Sequence, residues 1–470
     1  MYMSNIRSMR GFLASSIGVT CAAALALPLT PPPAAASVRP APSAEAATTA
    51  AGSAEPGIPG STQSLPLVPL DGERTSGPTA EQGLPRRDVR RFSLVGVVWD
   101  DPDTELRGRV QVRTRDAATG TWSGWQDVDA HNHGHAPDPG TTEAASGRVH
   151  GATAPLWVGD SDGVELRVSA EPRTAGGDRA DRPAAALPAG MRLELVNPDS
   201  GVDPGDTGGG ARGDDSRTAP LNADTPDAAN ADLAPLGATE LPELGRRETE
   251  QQLYALQTAE LTDQQRAKPY IGPRPRIVTR RGWGANEKLR ERKVGYTKKV
   301  KVAFVHHTGT GKKYWCKQAP SVIRGIYRYH VKSMGWRDIG YNFLVDRCGN
   351  IYEGRAGGVT QPVLGAHTLG FNANSTGIAV LGTFDSSKPS GAALKAISRL
   401  TAWKLGLSGA NPRGKAYLKS GGGNRYRKGK NVRLNVISGH RDGFDTACPG
   451  RQLYRKLGSA RATAARYQGR

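Results

Sequence analysis

His440 and Cys448 stand eight positions apart in the stretch Ser438-Gly439-His440-Arg441-Asp442-Gly443-Phe444-Asp445-Thr446-Ala447-Cys448-Pro449-Gly450. Its glycines and proline mark a loop, and a loop can fold back to bring an imidazole and a thiolate to one ion. A second imidazole is available from His306-His307, at the end of an apolar run that begins at Val300. Two imidazoles and one thiolate suit zinc, and three protein ligands leave a fourth position for water, the pattern of a catalytic rather than a structural site. By spacing alone the same histidines would serve equally well as packing or hydrogen-bonding residues, and which of His306 and His307 would face a metal stays open.

These residues need rigid elements to hold them. Val300 to His307 reads as a buried strand. Pro320-Ser321 opens an amphipathic helix with Val322, Ile323, Ile326 and Tyr327 on one side, ended by Gly335. Phe343 to Val345, Ile351 to Glu353 and Ile378 to Leu381 read as further strands. Leu394, Ile397 and Leu400 mark a second helix, and Leu453, Leu457 and Ala464 a third. Interleaved strands and helices give an α/β class with a mixed central sheet flanked by helices.

The rest of the 470 residues exceeds what one core needs, so two folded units with connecting segments are expected. Arg7 and Arg10 precede an apolar Ala-rich run, and Ala34-Ala35-Ala36 offers a small-residue cleavage site, so residues 1–36 read as a signal peptide and not as a stable membrane anchor. The protein is then secreted, extracellular or associated with a cell wall. Residues 37–87 read as a disordered linker, poor in large apolar side chains. Residues 88–200 read as an all-β domain, expected as a sandwich, from Phe92 to Trp99, Arg109 to Thr114, Val164 to Val168 and Met191 to Val196. Its Trp122, Trp125 and Trp157 are read as inward-facing aromatics before any sugar-stacking role. His131-Asn132-His133-Gly134-His135 lies among Gly, Pro and Asp and is read as a solvated loop, not a metal cluster. Residues 201–267 read as an acidic Pro/Ala/Gly linker in which Leu253 to Leu261 could form a short helix, and 268–470 as the domain carrying the His/Cys motifs.

Charge divides the chain in the same way. Residues 268–470 hold 40 Lys+Arg against 8 Asp+Glu, net +32, while residues 1–267 are net −13. A cationic field of that size gathers polyanions: nucleic acid, anionic membrane or anionic wall polymers. Nucleic acid is disfavoured, because the chain is exported and carries no nucleic-acid recognition motif.

The motifs themselves are more specific. His306-His307-Thr308, Gly335-Trp336-Arg337-Asp338-Ile339-Gly340-Tyr341-Asn342-Phe343, Tyr352-Glu353-Gly354-Arg355, Gly365-Ala366-His367-Thr368, Gly439-His440-Arg441 and Cys448-Pro449-Gly450 closely resemble the peptidoglycan recognition proteins and zinc N-acetylmuramoyl-L-alanine amidases, in order and in approximate spacing. The resemblance covers about Ile277 to Leu457. It implies zinc (Zn2+) ligands at His306, His440 and Cys448, an active-site tyrosine at Tyr341, and a site-lining residue at Thr446. It also implies a muropeptide groove faced by His367 and Asn372. The implied reaction is hydrolysis of the amide between N-acetylmuramic acid and L-alanine in peptidoglycan, by a water that an open zinc acidifies, with Tyr341 steadying the oxyanion. Family members that bind without cutting usually lack the cysteine ligand; a non-catalytic peptidoglycan-binding receptor is the alternative. Where relatives often have Gly-Arg-Gly-Trp, this chain runs Gly354-Arg355-Ala356-Gly357-Gly358, which leaves the preferred third residue of the stem peptide open.

With Cys448 assigned to the metal, Cys316 and Cys348 are the remaining pair of an odd set in an oxidising compartment, and a disulfide between them is expected.

Overall fold

The computed structural model describes residues 59–70, 81–171, 186–199, 238–256 and 269–470. The expected signal peptide lies outside them. No helix among the described residues is long and apolar enough to cross a membrane.

The first domain is one eight-stranded sheet built from β1 (Ser61–Pro66), β2 (Val68–Pro69), β3 (Glu81–Trp99), β4 (Gly108–Asp116), β5 (Gln126–Val128), β6 (Gly151–Ala152), β7 (Leu156–Ala170) and β8 (Arg192–Asn197). The order is β1-β8-β3-β7-β4-β5, with β2 and β6 also paired to β3. Every pairing among these strands is antiparallel. The all-β class is as expected, and hydrogen bonding joins all eight strands in one continuous sheet. Register shifts between Leu84 and Leu94 break the long β3–β7 ladder, and such irregularities bend strands. One face closes on a core of Val95, Val97, Trp99, Val110, Val112, Leu166 and Leu193.

The expected linker 37–87 needs correction, since β1, β2 and the start of β3 fall within it. Their sequence hid them. The Pro and Gly residues and the Arg86-Arg87-Asp88 run look like linker, yet Gln63 is buried and trades hydrogen bonds with the Arg90 backbone. A backbone ladder holds this edge, with Leu65 and Leu67 packed against the core.

The second domain also begins earlier than residue 268. β9 (Glu240–Leu241) and helix α1 (Arg246–Leu256) lie in the segment expected to be linker, and Leu241 and Leu253 are buried in the C-terminal core. The short helix read at Leu253 to Leu261 overlaps α1 at residues 253–256, and its remainder lies outside the described residues. There follow β10 (Ile277–Val278), β11 (Val302–His307), α2 (Ala319–Arg328), β12 (Phe343–Val345), β13 (Ile351–Glu353), β14 (Ser375–Val380), α3 (Gly391–Gly406), β15 (Lys415–Lys419), β16 (Asn431–Asn435), β17 (Ile437–Gly439), α4 (Arg451–Tyr454) and α5 (Leu457–Tyr467). The sheet runs β17-β11-β14-β12-β13-β10-β9 and is mixed, while β15 and β16 form a separate hairpin. Ser390 caps α3 by accepting from the Ala393 amide. α2 continues through a single wider turn, Tyr329–Ser333, before Gly335 in the left-handed region stops it. Cys316, just before α2, is disulfide-bonded to Cys348 in the turn after β12.

The two domains share a core. Alternation along β3 sends Val95, Val97 and Trp99 inward, and sends Leu94 and Val98 out against Ile323, Ile326 and Tyr329. Gly96 lies between them on that outer face, and any Cβ there would collide with the Tyr329 ring. The Tyr329 hydroxyl lies 3.4 and 3.2 Å from the Val97 and Thr153 carbonyls, and the Trp157 amide donates to Thr310 O at 3.2 Å. Burying side chains such as Leu94 and Val98 contributes about 1.5–3 kcal/mol each, so this is a packed interface.

Candidate metal centre

β11 is apolar and buried throughout, and its period of two decides which histidine does what. Ala303, Val305 and His307 point toward the helices α3 and α5. Val302, Phe304 and His306 point to the opposite face. β17 lies parallel to β11 with Gly439 opposite Val305, so His440, the next residue, arrives beside His306. A short 3-10 turn at His440–Asp442 then reverses the chain. The loop closes through Arg441 N to Cys448 O at 3.1 Å and Cys448 N to Thr446 Oγ1 at 3.3 Å, bringing the Cys448 sulfur back under the end of β11, where it accepts from the His307 amide at 3.4 Å.

A fourth donor comes from the other domain. His135 Nε2 lies 3.2 Å from His306 Nδ1, and Cys448 Sγ lies 3.7 Å from each of these nitrogens. One donor atom from each of His135, His306, His440 and Cys448 falls within 4.8 Å of all the others. With Zn–N near ~2.05 Å and Zn–S near ~2.3 Å, a tetrahedral zinc separates two nitrogens by about 3.3 Å and a nitrogen from a sulfur by about 3.6 Å. The three short separations fit that set.

The hydrogen bonds of His440 and His306 fit it as well. His440 Nε2 is 3.1 Å from the Gly134 carbonyl, which can only accept, so the proton sits on Nε2 and the lone pair on Nδ1. That Nδ1 is buried without a hydrogen-bond partner. With His306 Nδ1 as a ligand atom, its Nε2–H donates to His367 Nδ1 at 3.2 Å, and His367 Nε2 in turn meets Ser375 Oγ at 3.4 Å. Such outer partners fix ring orientation in metal sites.

Burial, and then the neighbouring imidazoles, push His306 and His440 well below the usual histidine range. Burial likewise takes His135 and His367 down to about 3. All four are therefore neutral, the form that ligates. Burial pushes the Cys448 thiol well up despite the His307 amide. A thiolate in this place needs a cation beside it, and a bound dication supplies one.

Tyr341 is buried with its ring 5.6 Å from that of His306 and 5.8 Å from that of His135. Burial, with Cys448 and Asp129 adding to it, raises its phenol well above the usual value, so it remains an O–H donor. Thr446 is half-buried and holds the Cys448 amide. His367 stands fully buried behind His306 instead of facing an open groove. Asn372 accepts from the amides of His367 and Thr368 through Oδ1, and its Nδ2 donates to Ala136 O and Asp138 Oδ1 at 2.9 and 2.7 Å. Arg355 is buried and paired in bidentate fashion with Glu143, at 2.9 and 2.8 Å.

The histidine loop of the first domain thus differs from its sequence reading. His131 is exposed against Asp129, but Asn132 and His135 are buried. The loop was not legible as a metal element because its partners belong to another domain. The available signal was compositional: three of the chain's nine histidines lie within residues 131–135, beside a motif one donor short of four. Trp157 belongs to the interdomain core, while Trp122 and Trp125 lie under the guanidinium groups of Arg86, Arg113 and Arg167.

Fold and site together define a mixed-sheet α/β domain with a buried imidazole–thiol cluster at the end of its central strand. Residues 296–451 match the N-acetylmuramoyl-L-alanine amidase family, and residues 42–189 match the Rv3811 N-terminal galactose-binding domain-like family. Peptidoglycan-recognition protein SC2 of Drosophila simulans is 32% identical over 184 residues, covering 38% of this chain and 84% of the relative. Peptidoglycan-recognition protein 1 of Holotrichia diomphalia is 34% identical over 184 residues, covering 39% and 79%. Among solved structures, wild-type Drosophila PGRP-LB aligns at 26% identity over 39% of this chain and 92% of its own, with a TM-score of 0.31. The chain belongs to the family of peptidoglycan recognition proteins and N-acetylmuramoyl-L-alanine amidases.

Proposed function

We propose that the protein is an exported zinc amidase that hydrolyses the bond between N-acetylmuramic acid and L-alanine in peptidoglycan. The observation that carries this reading is the convergence of His306, His440 and Cys448 at one buried point, with the imidazoles neutral and the thiol in a place that only a cation makes favourable as thiolate. These three residues would hold the zinc, which supplies Lewis-acid activation of water and of the scissile carbonyl.

The chain's own groups do the rest. His367 fixes the His306 ring through the Nε2 side, so the metal-facing nitrogen is preset. Tyr341, held protonated by burial, would donate its O–H to the oxygen on which negative charge develops. Thr446 steadies the turn that presents Cys448. The cationic surface of the C-terminal domain suits anionic wall polymers and adds retention on the wall.

A non-catalytic receptor is the competing reading, favoured by the fourth protein donor, His135, where a reacting water would be needed. Purified sacculi incubated with the protein, with and without a zinc chelator, separate the two. Chelator-sensitive release of stem peptide from muramic acid is expected; binding without release under any metal condition, with the His135 loop withdrawn as well as docked, overturns the amidase reading.

A further inference from the structure

The loop that carries His135 does more than touch the cluster. It runs from Asn132 to Glu143 across the second domain and hydrogen-bonds to a succession of polar groups there. The Gly134 carbonyl accepts from His440 Nε2 and from the Leu369 amide at 2.9 Å. Ala136 O and Asp138 Oδ1 take both donor bonds of Asn372, and Asp138 also accepts from the Gly370 amide at 2.8 Å. Thr142 Oγ1 accepts from Arg337 at 2.7 Å, and Glu143 accepts from the Arg337 amide and pairs with buried Arg355. Burial pushes the Glu143 carboxyl up, but Arg355 outweighs it and holds the group below its ordinary range. A cavity of about 280 Å³, lined by Thr141, Glu143, Arg337, Arg355 and Leu364 among others, continues beyond the end of the loop. The loop therefore lies in a cleft whose far end stays open.

Two features mark this as a fitted occupant instead of a chance surface contact. His135 places its Nε2 at the separations from His306 and Cys448 that a shared metal requires. Gly134 allows the approach: a Cβ there would stand 2.6 Å from a Phe444 ring carbon and 2.9 Å from the His440 ring, too close for any side chain.

We propose that the first domain closes the metal site of the second, with His135 as a fourth protein ligand and residues 132–143 filling the cleft where the muropeptide would bind. The described conformation is then a latent form, and hydrolysis requires this loop to withdraw. A three-ligand site is open to water and a four-ligand site is closed, so the same chain passes between the two states by moving one loop of another domain. The proposal rests on the amidase reading for its consequence, but not for its geometry.

Two single variants of the full chain test it. His135→Ala removes the ligand; Gly134→Val keeps every ligand and prevents the loop from docking. With cobalt(II) in place of zinc, the wild-type visible spectrum should not respond to azide. Both variants should still bind one cobalt through His306, His440 and Cys448, and their spectra should shift on adding azide. On sacculi, Gly134→Val should release stem peptide at least about tenfold faster than wild type, since a loop bonded at this many points holds the closed form at well over nine-tenths of the population. A wild-type cobalt protein that binds azide as readily as the variants overturns the closed site. Variants that stay inert to azide and show no gain in hydrolysis overturn it equally. If azide enters both variants and neither cuts sacculi, the closed site stands and the amidase reading falls.

Discussion

Replacing Cys448 by Ser takes away one donor of four while changing little else. Cys448 is 2% exposed, and its sulfur accepts only from the His307 amide and faces His135 and His306. A serine oxygen can still accept from that amide, so the metal-free protein should keep its fold. Zinc binding is different. Apparent zinc affinities of about 10–16 kcal/mol at four-ligand sites assign roughly 3 kcal/mol to each donor, and a serine hydroxyl stays protonated near neutral pH, so the affinity should fall by at least about 100-fold. At a zinc concentration about 1,000 times the wild-type Kd, binding stabilises the folded state by about 4.1 kcal/mol; a 100-fold weaker site retains about 1.4 kcal/mol. The lost ~2.7 kcal/mol corresponds to about 5–11 °C of zinc-dependent Tm shift for a domain of this size. Differential scanning fluorimetry of both proteins with and without zinc, together with metal analysis after dialysis, reads this directly. A Cys448→Ser protein that keeps stoichiometric zinc and the full thermal shift would refute the assigned ligand set.

Tyr341→Phe should retain zinc and the thermal shift, because the hydroxyl is outside the donor group, while sacculus hydrolysis falls about 100-fold, the scale of losing one oxyanion donor; unchanged turnover in the open-loop variant would exclude the role. Neutralising Arg425, Arg427, Lys428 and Lys430, all exposed between β15 and β16, should weaken binding to walls that carry anionic polymers roughly tenfold at low salt and much less at high salt. Hydrolysis of a small soluble muropeptide should not change, and an equal loss on that substrate would place these residues in the site instead.

Much of the second domain could be read from its pattern. The apolar run ending at His306-His307, the amphipathic face of α2 and the Gly/Pro loop from His440 to Cys448 all carry their structure in local sequence, because strand and helix periods and turn chemistry act over a few residues. The alternation of β11 even contains the choice between the two histidines, although it becomes decisive only when β14 and β17 fix which face is which. Edge strands were harder. β1 and β9 are held by backbone ladders and single buried side chains such as Gln63 and Leu241, and polar composition hides such contacts. His135 was beyond the reach of local reading. It meets His306 across 171 positions and a domain boundary, and the clustering of histidines in His131-Asn132-His133-Gly134-His135 names no partner until the packing of Leu94, Val98 and Trp157 against α2 brings the two domains together. Sequence determines which donors exist and how rigidly each is held, because those properties depend on near neighbours. Whether the metal site is open or closed depends on burial between distant surfaces, and only the tertiary structure decides it.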